Sequence, residues 1–278
     1  MSLKEKAMSV NLTISQWTAR KFDAKASKEI ETTHNATNAG RFNKILVAQE
    51  ALKEITKLSS AARNYHYYNT LPWSDNGDRL LPAKNFLNYM KEISEYREKY
   101  NLLVNKFIND YPQYIEEAKS RLKTLFNQYD YPPVETISKK FDMTIVVMPI
   151  PDQEDFRIDI SKEESELIKS GIVKELNSRV ENAVASLISR IEDSVLKMYE
   201  ALVQPEKIFR DSLVGNIAEL ADIAPLLNFN NDNKIDTLVQ MIRPLYENIN
   251  PNMLRDNKEF RKEMADKAQR IYQNMKLI

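Results

Sequence analysis

The alternation of apolar and polar positions along the chain predicts a protein built mainly of helices. Residues 1–10 read as a flexible tail. Over residues 11–30, Ala19, Phe22, Ala26 and Ile30 follow Leu12 and Trp17 at steps of three or four, the spacing of one helix face. The polar, Asn-containing stretch 32–40 breaks that pattern and ends in a glycine. A second helix is predicted from 41 to 69, with Phe42, Ile45, Leu46, Leu52, Ile55, Leu58, Ala62 and Tyr65 as its stripe. Residues 69–82 (NTLPWSDNGDRLLP) read as a loop, because Ser-Asp-Asn-Gly is turn composition and prolines flank it. Helical spacing returns from 83 to 109. Asp110 then caps a further helix that tolerates Pro112 in its first turn and ends before Tyr131-Pro132-Pro133.

The period changes at residues 143–148 (MTIVVM), a continuous β-branched run. After a Pro-Ile-Pro interruption, Phe156, Ile158 and Ile160 alternate with Arg157 and Asp159. These two segments predict a small β-hairpin near 143–160. Ser161 and Glu164 form a capping box for a long helix that reaches toward Pro205. Its stripe, Ile168 through Leu176, Val180, Leu187, Ile191, Met198 and Leu202, recurs about every 3.7–3.8 residues, more than the 3.5 of a left-handed coiled coil. The helix is therefore expected to be nearly straight in a bundle, or to form a slightly right-handed pair, and not a heptad zipper. Pro205, Pro225, Pro244 and Pro251 cut the remainder into shorter helices near 206–221, 233–247 and 252–276. The fold class is thus mainly α, a multi-helix bundle with long amphipathic helices and a small two-stranded insertion. Its predicted divisions are a tail (1–10), an N-terminal helical domain (11–133), the hairpin with the long helix (134–204) and a C-terminal helical region (205–278).

An isolated hairpin is marginal in water. Together with the apolar stripe, it leads to an expectation of self-association, with Leu176, Val180, Leu187, Ile191 and Met198 as the oligomer interface.

Composition narrows the chemistry. There is no cysteine, so disulfides, Cys-ligated zinc, iron–sulfur clusters and thiol catalysis are excluded. Only 4 of 278 residues are glycine, against a typical ~7%, which disfavours Gly-rich phosphate loops and barrel folds. No GxxxxGK[ST], GxGxxG, HExxH or GxSxG string occurs. Asn228-x-Asn230-x-Asp232 begins like a calcium loop, but Asn233 stands where glycine belongs and Val239 where glutamate belongs. The expectation is a non-enzyme without metal or cofactor. No apolar run is long enough to span a membrane, and the first residues lack the apolar core of a secretory signal.

Forty Lys+Arg balance 40 Asp+Glu overall, yet residues 1–70 hold 11 basic and 6 acidic groups, while 131–204 hold 9 and 14. The basic front carries Trp17, Arg20, Lys21, Arg41 and Lys44, a basic-aromatic set able to contact nucleic acid. Ordinary surface charge is the competing reading. Tyr65, Trp73, Asp75, Asp78 and Arg79, around the 69–82 loop, are the candidate partner-binding residues. The competing reading makes Tyr65 and Trp73 core plugs.

The strings VNLTISQWTARKFD, NAGRFNK, TLPWSDNGDRLLP and PIPDQEDFRIDIS resemble a family of uncharacterised helical proteins of tailed bacteriophages and prophages, over about residues 9–200. Residues 205–278 are outside the resemblance. Related phage proteins are often encoded near MoxR-type AAA+ ATPases and von Willebrand A-domain proteins. The resemblance implies a viral protein in the bacterial host cytoplasm and assigns no catalytic residue. The function expected is assembly, as a homo-oligomer or as an adaptor for a phage or host protein such as an AAA+ ATPase. The alternative is a nucleic-acid-binding accessory protein using the basic front.

Overall fold

The computed structural model describes residues 3–155 and 161–277. The expected strand at 156–160 lies outside the described residues. The fold is mainly α, 67% helical, with small antiparallel sheets, as the hydrophobic periods predict. In chain order the elements are α1 (Leu3–Lys6), β1 (Ala7–Ser15), β2 (Arg20–Phe22), α2 (Ala24–Thr33), β3 (Asn43–Ile45), α3 (Gln49–Tyr68), β4 (Leu71–Pro72), β5 (Arg79–Pro82), α4 (Phe86–Leu122), α5 (Val134–Ser138) and β6 (Asp142–Pro149). There follow α6 (Lys162–Leu202), α7 (Ser212–Leu227), α8 (Asn233–Ile242), α9 (Pro251–Asp256) and α10 (Lys258–Met275). One sheet has the order β4-β5-β1-β6, with Ala7 opposite Pro82 and Val10 opposite Arg79. β2 and β3 form a separate antiparallel ribbon, Arg20 opposite Ile45 and Phe22 opposite Asn43.

The N-terminus is the main departure from the sequence reading. Residues 7–15 are a strand and not a tail leading into a helix. Its β-branched Val10, Thr13 and Ile14 suit a pleated surface, and Ala7, Val10 and Ile14 are buried. Ala19 then takes a left-handed φ of 51°, which turns the chain between β1 and β2. Helix α3 accordingly starts at Gln49, since residues 43–45 pair with β2. The two helices expected on either side of Asp110 are one, α4, with Pro112 inside it. An interior proline costs about 3 kcal/mol. The buried stripe Phe107, Tyr111 and Ala118 runs across that position and favours a single helix. The capping box is present: the Ser161 hydroxyl donates to Glu164 Oε2 (2.7 Å), and Ser161 Oγ accepts from the Glu164 amide (3.3 Å).

The chain divides into two compact units that interleave in sequence, unlike the consecutive blocks predicted. Unit 1 comprises Met1–Asn11, Tyr67–Tyr89 and Val146–Ile278; unit 2 comprises Leu12–His66 and Met90–Ile145. In unit 1, α6 packs against α7, α8 and α10. The expected oligomer interface is spent there: Leu187, Ile191 and Met198 are fully buried in the core of their own chain, and Leu176 and Val180 pack partly buried against it. The stripe was read correctly as apolar, but the C-terminal helices fill it. In unit 2 the core gathers Ile14, Trp17, Leu52, Ile55, Tyr100, Phe107 and Tyr111.

Unit 1 closes the end of its longest helix with a buried arginine. Arg261 of α10 is 8% exposed and donates to the carbonyls of Ala201 (2.9 Å), Leu202 (3.1 Å), Gln204 (2.6 Å) and Lys207 (2.8 Å). Arg190 of α6 donates to the Tyr68 (3.3 Å) and Thr70 (2.8 Å) carbonyls in the same manner. A helix C-terminus leaves four carbonyls unpaired and carries the negative end of the dipole, so a guanidinium satisfies both demands. Replacing Arg261 by Met keeps the aliphatic stem and strands these carbonyls. Stability should fall by roughly 3 kcal/mol, seen as a lower urea midpoint with unchanged slope. An unmoved midpoint would show that water replaces the guanidinium without cost.

Candidate functional site: a basic groove in unit 2

A hollow of about 830 Å³ lies on unit 2. One wall is the β1–β2 connection, the floor is β3 with the residues after it, and the other wall is the first three turns of α3. Each part is held by a specific contact. Trp17 is buried edge-on against Phe107 (6.3 Å) and Tyr111 (5.7 Å). Gln16 Nε2 donates to Thr56 Oγ1 (3.0 Å), and Arg63 donates to the Ile14 carbonyl (2.7 Å), which ties the end of β1 to α3. Apolar Val47 and Leu52 are buried beneath the floor. What the groove presents to solvent is polar and cationic: Arg20 from β2, Lys53 and Lys57 from α3, and one carboxylate, Glu50. Among the described residues, the side chains of Arg20, Lys53 and Lys57 form no ion pair and no hydrogen bond.

The other basic groups expected to touch nucleic acid are placed differently. Lys44 is 5% exposed, bonded to Asp130 (2.6 Å), Asp23 (3.0 Å) and the Leu125 carbonyl (2.8 Å). Lys21, exposed, bridges to Asp130 at 3.0 Å. Asp23 also caps α2 by accepting from the Ala26 amide (3.0 Å). This cluster is structural, so Lys44 is unavailable to a ligand, as is the buried ring of Trp17. The Ala26 amide bond, assisted by Lys44, holds Asp23 below the ordinary carboxylate range. Burial alone would raise Asp130, but its bonds to Lys44 and Lys21 outweigh it and hold Asp130 low. Burial alone would lower Lys44, and the two aspartates outweigh it and raise it. Of the five expected contacts, Arg20 and Arg41 stay exposed and outside any ion pair among the described residues; the Arg41 guanidinium lies over the Phe22 ring, 4.7 Å from its centroid.

The partner-binding candidates are also dispersed. Tyr65 belongs to unit 2, half-buried against Tyr96 (5.8 Å), and burial with Glu92 nearby pushes its phenol up to about 12. The other four belong to unit 1. Trp73 is buried, with the Arg179 guanidinium over its ring at 5.8 Å. Asp75 is exposed at a tight turn, and Asp78 accepts from Asn11 Nδ2 (2.9 Å). That turn has Gly77 at φ +93°, where a side chain would be strained. The loop reading of 69–82 needs revision on both sides of the turn, because β4 and β5 pair there as a hairpin. Arg79 is half-buried and donates to Thr70 Oγ1 (2.6 Å) and to the Thr70 (3.0 Å) and Tyr67 (3.5 Å) carbonyls. Burial, then the nearby Arg190 charge, brings its pKa down to about 10. It serves the fold and is not a free contact.

Lys53 and Lys57 were missed from the sequence, though a signal existed. Like charges at i,i+4 oppose an isolated helix, and this pair falls on the polar face of α3 without compensating bonds. Among the described residues no cluster of metal-ligating side chains occurs, and no helix is long and apolar enough to cross a membrane. Comparison of the chain with protein-family models, with curated proteins and with solved structures gave no match.

Two outcomes follow from these placements. Lys44→Met leaves buried Asp130 with only the exposed Lys21 and takes the cation from half-buried Asp23, so stability at pH 7 should fall by roughly 3 kcal/mol. Asp23 and Asp130 titrate lower folded than unfolded, so their contribution is present above about pH 4 and lost as pH falls through their folded values. The gap between variant and wild type should therefore narrow in acid unfolding curves at pH 3; a constant gap would disprove the ionic account. For the turn, Trp73→Ala should cost roughly 3–5 kcal/mol, whereas Asp75→Ala should stay within about 0.5 kcal/mol. Thermal melts of the two variants check this, and equal stability for both would mean that Trp73 is not a core residue.

Proposed function

We propose that this protein acts by binding, not by chemistry of its own, and that the groove of unit 2 holds an acidic partner. The observation that carries the reading is the trio Arg20, Lys53 and Lys57, three exposed cations around one hollow with no ion pair among the described residues. Lys21 and Lys44 of the same unit are neutralised by Asp130 and Asp23, whereas the three groove cations are not. Unit 2 carries 18 Lys+Arg against 14 Asp+Glu, a net charge of +4, which adds long-range attraction for anions. The resemblance to tailed-phage proteins sets this adaptor role in the bacterial host cytoplasm, with a phage or host macromolecule as the partner; an AAA+ ATPase is one such protein. Self-assembly ranks behind this role, because the stripe that motivated it is filled within unit 1.

The test is retention on an immobilised polyanion such as heparin, with elution by a salt gradient. The wild type should be retained, and Lys53→Glu/Lys57→Glu should elute at clearly lower salt. Lys139→Glu/Lys140→Glu, the same change of charge at exposed positions outside the groove, should elute close to wild type. Wild type in the flow-through, or equal losses for the two variants, would sink the groove reading. Light scattering at tens of micromolar decides the second reading, since a monomeric mass removes self-assembly.

A further inference from the structure

The β2–β3 ribbon extends the groove into a longer track. Successive side chains of a strand point to opposite faces. In β2, Arg20 and Phe22 therefore share one face and Lys21 takes the other, where it reaches Asp130. Arg20 lines the groove already described. Phe22, on the same face, lines a second hollow of about 480 Å³ together with Arg41 and Lys28. Phe22 is 42% exposed, and the Arg41 guanidinium lies over its ring. Neither Arg41 nor Lys28 forms an ion pair among the described residues. Each hollow also holds one carboxylate, Glu50 in the first and Glu31 in the second, and Glu31 accepts a bond from the Ala39 amide (3.3 Å).

The two hollows that Arg20 and Phe22 line thus present five cations without an ion pair among the described residues, Lys57, Lys53, Arg20, Arg41 and Lys28, and one exposed ring. A protein-docking patch has the opposite make-up, an apolar centre with lysine depleted. A duplex would use the cations but has no unstacked base to offer the ring. A cationic track with an aromatic platform is the arrangement that binds single-stranded nucleic acid with little sequence preference. We propose, resting on the reading of the groove as an anion site, that the β2–β3 face of unit 2 binds single-stranded nucleic acid. The five cations follow its phosphates and one base stacks on Phe22, with the Arg41 guanidinium lying along the same ring.

The probe is a fluorescein-labelled oligothymidylate, followed by anisotropy in the full-length protein across about 50–300 mM NaCl. Single strands lose affinity with a log–log slope of roughly −0.7 per phosphate neutralised, so three to five contacts give about −2 to −3.5. Arg20→Ala/Lys53→Ala/Lys57→Ala should flatten that slope by about 2. Phe22→Ala should keep the slope and weaken binding roughly five- to hundredfold, the effect of one lost base stack; circular dichroism confirms that each variant is folded. If Phe22→Ala binds as wild type does, or if a duplex of the same length or an acidic peptide binds as tightly as the single strand, the single-strand proposal is overturned while the anion groove stands. If neither oligonucleotide, acidic peptide nor heparin binds, both fall together.

Discussion

The last turn of every helix exposes carbonyls that need donors, and many helices close it with a glycine in the left-handed conformation. This chain has 4 glycines in 278 residues and follows none of its long helices with one. Arginines brought from elsewhere in the chain do the work instead. Arg261 reaches four carbonyls at and beyond the end of the 41-residue α6, and Arg190 with Arg79 converges on the carbonyls of Tyr67, Tyr68 and Thr70. For Arg261 and Arg190 the donor and acceptor lie far apart in sequence, so each of these two caps is also a tertiary tie. The burial of Leu187, Ile191 and Met198 under α10 goes together with Arg261 holding α10 to the end of α6.

The same accounting separates structural from available charge in unit 2. Lys44, Asp23, Asp130 and Lys21 satisfy one another, and Asp23 adds an N-cap for α2. Arg63 and Arg121 are used on backbone carbonyls, Ile14 for the first and Ile45 with Leu46 for the second. Once these are assigned, the cations of the groove and ribbon are exposed groups that the fold does not use and that line a hollow. This is why the binding proposal rests on Lys53 and Lys57 more than on Trp17 or Lys44, whose sequence neighbourhood looked equally suited.

The long helices, the strand near 143 and the Ser161 cap were legible because each is a local pattern: a period, a β-branched run, a side chain three residues from its acceptor. Trp73 as a buried residue was also within reach, since a large aromatic between two prolines had a core reading from the outset. The strand 7–15 was not legible in the same way, since its residues satisfy a helical spacing nearly as well and strand pairing with residues 79–82 is long-range information. Pro112 misled for a related reason, as a proline signals a helix start unless packing on both sides overrides it.

Composition and periodicity by themselves determined a cysteine-free, mainly helical chain with one long amphipathic helix and a basic front. Only the tertiary structure decided that the apolar stripe of that helix meets its own C-terminal helices, that Lys44 is buried between two aspartates, and that Arg20 shares a hollow with two lysines of α3. The physical reason is that charge and hydrophobicity can be read residue by residue. Whether a group is already partnered depends on what the rest of the chain brings within about 3 Å of it.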